Sequence, residues 1–162
     1  KDSGHLLREE ARYVAKAERV AALTRDVSAV VAAEREHLLA LFGALPRLTL
    51  GRRVAFHSPC TLQHGQKIRG VVEALLQGAG FEPTPVADGH LCCGSAGTYS
   101  ILQPAIAGRL REDKQQALAA GAPDVIASAN IGCILHLREG GTTPVRHWIE
   151  LLDERLGQRP GQ

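Results

Sequence analysis

Several things are missing from this sequence. No apolar run approaches the roughly 20 residues that span a bilayer. The formal net charge is only +2, too mild to imply a polyanionic partner. Lys and Arg are scattered and seldom interleaved with the few aromatics, three Phe, two Tyr and one Trp, so the footprint of a nucleic-acid reader is lacking. There is no internal repeat and no low-complexity tract. No stretch near the start reads as a secretory signal, and the chain opens on Lys1 rather than Met. A piece of a longer protein is therefore expected. Without a secretory signal, four cysteines read as metal or redox groups before they read as disulfides. Gly94-Ser95-Ala96-Gly97-Thr98 lacks the Lys and the strong preceding strand of a phosphate loop.

What remains is ordinary globular material. At 162 residues the length suits one domain with an added helical segment, long enough to bury a real core. A helix is expected over Leu6–Leu23, with Tyr13, Val14, Ala17 and Val20 approximating an apolar face. Thr24 or Asp26 would cap a second helix running to Phe42 and closed by Pro46. From Arg52 onward strand and helix alternate. Val54–His57 is a strand ended by Pro59, and Ile68–Leu76 is an amphipathic helix stopped at Gly78-Ala79-Gly80. Thr84–Ala87 is a weaker strand, demoted by its prolines. A helix over Pro104–Ala120, a strand over Asp124–Ala129, a helix over Ile131–Leu137, a segment Pro144–His147 and a last helix to about Leu156 follow. The pattern predicts an α/β fold, a small parallel, Rossmann-like sheet with flanking helices behind two amino-terminal helices. The expected division is a helical lead-in over 1–50, an α/β domain over 51–157 and a tail over 158–162.

The cysteines carry the chemistry. Cys92 and Cys93 are adjacent, within Gly89-His90-Leu91-Cys92-Cys93-Gly94-Ser95-Ala96-Gly97. On regular backbone neighbouring side chains diverge, so two thiols in sequence serve one site only where the chain turns. The three glycines permit that turn. Cys60 is expected to follow the first strand, the pair the second, and Cys133 the third. All four sulfurs should then share one crevice at the carboxyl edge of the sheet, where parallel α/β folds bind ligands. Asn130 is the expected cap of the helix whose first turn holds Cys133, a place whose free N–H groups favour a thiolate. Three readings compete: inert buried thiols, a four-thiolate zinc site and an iron–sulfur cluster. Turn-flanked thiols fit the first poorly, and the absence of any CxxC weakens the second. Spacing alone does not separate zinc from iron. His57, His64, His90 and His136 lie near cysteines and could ligate iron or relay protons. Ordinary hydrogen bonding explains each as well, and His57, at a strand end beside Cys60, is best placed for a role. Trp148 is most simply a core or interface anchor.

His57-Ser58-Pro59-Cys60, Cys92-Cys93-Gly94-Ser95-Ala96-Gly97-Thr98-Tyr99 and Ser128-Ala129-Asn130-Ile131-Gly132-Cys133 together resemble the Cys-Cys-Gly cysteine-rich domain of oxidoreductase subunits, the heterodisulfide reductase B-like family. Gly4-His5-Leu6-Leu7, Leu62-Gln63-His64-Gly65-Gln66 and Ile134-Leu135-His136-Leu137 extend the likeness, above all to the carboxyl-terminal part of glycolate oxidase iron–sulfur subunits. The broad pattern ends in CxxC, whereas Asn130 occupies the first of those positions, as in glycolate-oxidase and lactate-type relatives. The resemblance implies an electron-transfer module of a glycolate oxidase (glycolate dehydrogenase) complex. Cys60, Cys92, Cys93 and Cys133 would hold an iron–sulfur cluster of 4Fe-4S type, with N–H groups around Gly94 and Gly132 bonding to sulfur. FAD would sit only on a partner, the flavin-containing glycolate oxidase subunit that converts glycolate to glyoxylate. A ferredoxin-like amino-terminal region of the same subunit and a first copy of the domain are absent here, and the two leading helices would have packed against them, leaving apolar side chains exposed. The implied location is cytoplasmic, peripheral on the inner face of the membrane through partners. Lactate-utilisation and anaerobic glycerol-phosphate dehydrogenase subunits share the motifs, and a non-redox, zinc-stabilised interaction module is the alternative of a different class. The chain shows no flavin or nicotinamide fingerprint, so no catalytic residue of its own is expected.

Overall fold

The computed structural model describes residues 3–45 and 52–157. It divides into two compact units, Lys1–Glu34 and Arg35–Gln162. The first holds α1 (Ser3–Leu6), α2 (Val14–Leu23) and α3 (Val27–Ala33). The single helix expected over Leu6–Leu23 is interrupted, because residues 7–12 are exposed and offer no face to bury. Helices this short depend on packing rather than propensity. The Ser3 hydroxyl ties α1 back to α2 by donating to the Ala17 carbonyl at 3.2 Å. Asp26 caps α3 as anticipated, its carboxylate accepting from the Ser28 N–H at 2.9 Å. The second expected helix also breaks, at Glu34, within the polar run Glu34-Arg35-Glu36-His37. Leu6, Val20 and Leu23 are exposed, and Pro46 lies outside the described residues.

In the second unit α4 (Arg35–Gly43) precedes β1 (Arg53–His57). There follow a single π-helical turn at Thr61–Gly65, α5 (Val71–Gly78), β2 (Glu82–Thr84), α6 (Tyr99–Leu102) and α7 (Pro104–Ala119). The chain then runs through β3 (Val125–Ser128), α8 (Ile131–Arg138), β4 (Val145–His147) and α9 (Trp148–Gly157). The sheet order is β2-β1-β3-β4, and every pairing is parallel. The second strand begins two residues earlier than its sequence suggested and contains Pro83. That is tolerated because β2 lies at the edge and needs no full set of ladder donors. The helix expected from Ile68 starts instead at Val71, after Gly70 at φ +72.

Helices α4, α5 and α9 pack on one another, while α7 packs on α8 and β1. Ala55 and Ile126, partners across β1 and β3, point to the side of Leu118, Ile134 and Leu137 and share a fully buried cluster with Val145 and Cys93. Trp148 is completely buried and serves as a core anchor. Among the described residues no helix is long and apolar enough to cross a membrane. Leu118 is central to this cluster, so Leu118→Ala should destabilise the fold by about 2–5 kcal/mol. Equilibrium unfolding in urea measures it, and a loss under about 1 kcal/mol would mean the cluster is not the core.

Candidate metal centre

The order β2-β1-β3-β4 means that the chain leaves β1 toward one edge and later returns to its other side as β3. Connections departing in opposite directions leave a crevice between the carboxyl ends of β1 and β3, the switch point at which open parallel sheets bind ligands. Cys60 follows β1, and Cys133 opens α8 after β3. A cavity of about 420 Å³ there is lined by Cys60, Cys92, Cys93 and Cys133, with Ser95, Gly97, Asn130 and Gly132. The structure thus brings all four cysteines together.

Each is held by local chemistry. Cys60 initiates the π-helical turn, a rare geometry that recurs at functional sites. Gln63 in that turn donates from Nε2 to the carbonyls of Ser58 (2.9 Å) and Gly89 (3.3 Å). It thereby fastens the Cys60 loop to the approach to Cys92. Gly94 has φ +89, and a Cβ there would stand 2.5 Å from the Ala107 carbonyl oxygen. Only glycine meets both conditions. This turn lets two adjacent thiols line one cavity, and the Gly94 N–H donates to Cys92 Sγ at 3.3 Å. Asn130 caps α8 as expected, accepting from the Cys133 N–H at 3.1 Å. Gly132 lines the cavity close to Ser95 and Asn130.

The four thiols are not equivalent. Cys93 is buried in the core cluster and Cys133 is half-buried against it. These two and His57 place a ring nitrogen and two sulfurs within 4.8 Å of one another. Cys92 and Cys60, the latter exposed, make an outer pair. Within the inner pair the Cys93 thiol is held well below its ordinary range, at about 4. The Cys133 thiol hydrogen-bonds to it, and this outweighs burial, with His57 and the Ser95 backbone adding support. Cys133 is pushed up by the same hydrogen bond, by burial and by the surrounding sulfurs. The Cys60 thiol is raised first by desolvation and then by neighbouring Cys92.

Lys114 was not singled out from sequence. It is buried on α7, donating from Nζ to the carbonyls of Asp88 (3.0 Å) and Gly89 (3.4 Å). Desolvation lowers its pKa, against the opposing pull of Cys93, Cys60, Asp88 and Cys92. Its signal was available: Ala107, Lys114 and Leu118 form the buried stripe of α7, so a cation stands on a core-facing row where charge is rare unless paired. His64 and His136 make ordinary contacts, with the carbonyls of His90 and Ala107 respectively, each at 3.3 Å.

Because Gly94 combines positive φ with a blocked Cβ, Gly94→Ala should destabilise the unit by about 2–4 kcal/mol and make Cys93 accessible to thiol reagents. Thermal unfolding with alkylation kinetics tests this. A variant as stable as the parent, with Cys93 still protected, would contradict it.

Comparison with known proteins agrees with this geometry. The family model for the CCG cysteine-rich domain matches residues 54–138, more than half of the chain. The glycolate oxidase iron–sulfur subunit of Escherichia coli K12 is 45% identical over 156 residues, which cover 96% of this chain and 37% of that protein. Lactate utilization protein A of Bacillus licheniformis is 28% identical, covering 96% of this chain and 65% of its own. The probable glycolate oxidase iron–sulfur subunit of Bacillus subtilis is also 28% identical, over 96% of this chain and 36% of its own. The chain spans from about a third to two thirds of the length of these relatives. With its paired cysteines on a glycine turn at the switch point of a parallel sheet, the chain belongs to the CCG cysteine-rich domain family.

Proposed function

We propose that this chain is an iron–sulfur electron-transfer module of a glycolate oxidase complex, with residues 51–157 as its cysteine-rich domain. The observation that carries the reading is the convergence of four thiols on one cavity at the carboxyl edge of β1 and β3. The donor set fits such a group. The cavity offers four sulfurs, one already favoured as thiolate, with an N–H donor to sulfur at Gly94 and a buried cation at Lys114 to offset negative charge. Cys60, Cys92, Cys93 and Cys133 would hold a cluster of 4Fe-4S type, and the chemistry supplied when it is bound is one-electron uptake and release. Gly94 and Gly132 shape its surroundings and keep the backbone close to the sulfurs.

Substrate oxidation belongs elsewhere. Removing two electrons from a 2-hydroxy acid needs an acceptor such as flavin, which we assign to a partner subunit that converts glycolate to glyoxylate. A ferredoxin-like region of the same subunit would pass electrons in or out, and the assembly would sit in the cytoplasm, on the inner face of the membrane through its partners. Exposed Ile101, Leu102, Ile131 and Leu135 on α6 and α8 offer a redox partner apolar surface. Glycolate is preferred over lactate because the glycolate oxidase relative from Escherichia coli is 45% identical, against 28% for the lactate utilization protein.

In the intact complex, Cys92→Ser or Cys93→Ser should lower bound iron and abolish electron transfer while the far-ultraviolet circular dichroism stays unchanged, since the helices keep their own apolar faces. Unaltered iron content and turnover in both would leave the pair a purely structural feature. Residues 1–162 alone, even reconstituted with iron and sulfide, should show no glycolate-dependent dye reduction, and activity should return with the full subunit and its flavin partner. Anaerobically purified protein should absorb broadly in the visible. A colourless protein containing zinc would favour the interaction module instead.

A further inference from the structure

Cys93 is the most deeply buried of the four cysteines, enclosed in the core cluster, and a charged sulfur away from water needs hydrogen-bond donors. While the cysteines are free thiols, Cys133 is the principal donor to it, with His57 and the Ser95 backbone N–H behind. A thiol that binds metal gives up its hydrogen, so Cys133 ceases to donate once both cysteines serve as ligands. The His57 ring and the Ser95 N–H are the donors that remain. His57 is placed for that part. It ends β1, and the parallel register sets it opposite Ser128, the last residue of β3. Side chains alternate along a strand, so His57 shares a face with Ala55 and Ser128 with Ile126, the face whose cluster contains Cys93. Both polar residues are almost completely buried, and His57 Nδ1 lies 2.9 Å from Ser128 Oγ.

We propose that His57 donates its Nε2–H to the Cys93 sulfur, and that Ser128 holds the ring in this tautomer by donating its hydroxyl hydrogen to Nδ1. The assignment rests on the iron–sulfur reading above, keeps its four cysteine ligands and adds none. A ring nitrogen and the sulfurs of Cys93 and Cys133 lie within 4.8 Å of one another. With Nδ1 engaged by Ser128, Nε2 is the nitrogen left for the sulfurs. Bare, it would set a lone pair against two thiolates, so Nε2 carries the hydrogen and Nδ1 accepts. The Ser128 hydroxyl can donate as well as accept and supplies the hydrogen that Nδ1 then requires. An N–H bonded to a ligand sulfur favours the more negative, reduced form of a cluster and so raises its potential. His57 thus tunes the site without binding iron, and Ser128 is a positioning residue that acts through the ring.

The test is an EPR-monitored redox titration of the full-length subunit, purified anaerobically, with iron content measured alongside. In His57→Leu the reduced-to-oxidised ratio at the parent's midpoint should fall about tenfold, a shift of about 59 mV to lower potential for a one-electron couple, with iron retained. His57→Gln keeps an amide N–H near the place of Nε2 and should recover at least about half of that shift. Ser128→Ala should lower the potential by less, and the double variant should match His57→Leu alone, since Ser128 has nothing left to act on. Should His57→Leu fail to fold, Ser128→Ala decides, because it leaves the ring in place and must still lower the potential. An iron-loaded His57→Leu with the parent's potential, a His57→Gln no better than His57→Leu, or additive effects in the double variant would overturn the assignment and leave the electron-transfer reading standing. So would loss of iron from a folded His57→Leu, which would make the ring a holder of metal. A parent that binds no iron would overturn the electron-transfer reading, and the assignment with it.

Discussion

The site depends on the reversal of strand order at β1, whose neighbours β2 and β3 lie on opposite sides of it. Once β2 lies on one side of β1 and β3 on the other, the loops that follow β1 and β3 must part, and nothing in the sheet fills the gap they leave. Residues far apart in sequence then become neighbours without any local motif: Cys60 and Cys133 are separated by more than seventy positions yet line one cavity. The third contributor, the loop bearing Cys92 and Cys93, must be brought across from the edge strand. Gln63 and Lys114 do this by meeting on a single acceptor, the Gly89 carbonyl. Gly94 then folds against Ala107, so that the loop closes on the cavity rather than running past it.

Gathering four sulfurs has an electrostatic cost that the structure distributes rather than removes. Two adjacent thiolates repel, and burial disfavours each. In the inner pair the contact between the two lowers the pKa of Cys93 and raises that of Cys133. The outer pair stays nearer solvent, where charge is screened. Buried Lys114 contributes opposite charge from behind the loop. This gradient from a dry inner half to a wet outer half is what an electron carrier needs: one side fixed, the other reachable.

Much of this was legible in the sequence, for identifiable reasons. The parallel sheet followed from alternating patterns, and the common crevice from placing each cysteine after a strand. Asn130 as helix cap could be read from residue type and position alone, and hydrogen bonds to Cys133 as foreseen. What escaped was tertiary. Whether residues 6–23 form one helix depended on whether 7–12 find anything to pack against, and they do not. The π-helical turn has no periodicity of its own, and the start of β2 was obscured by Pro83, acceptable only because the strand is at an edge. The pairing of His57 with Ser128 is a matter of register, which no single segment encodes.

The central claim is that these sulfurs bind iron. Iron K-edge X-ray absorption on the anaerobically purified full subunit, compared with a variant in which Cys60, Cys92, Cys93 and Cys133 are all serine, tests it most directly. The account predicts a sulfur-dominated iron shell with an iron–iron contribution, diminished by the amount of one cluster in the variant. Identical spectra from parent and variant would contradict it.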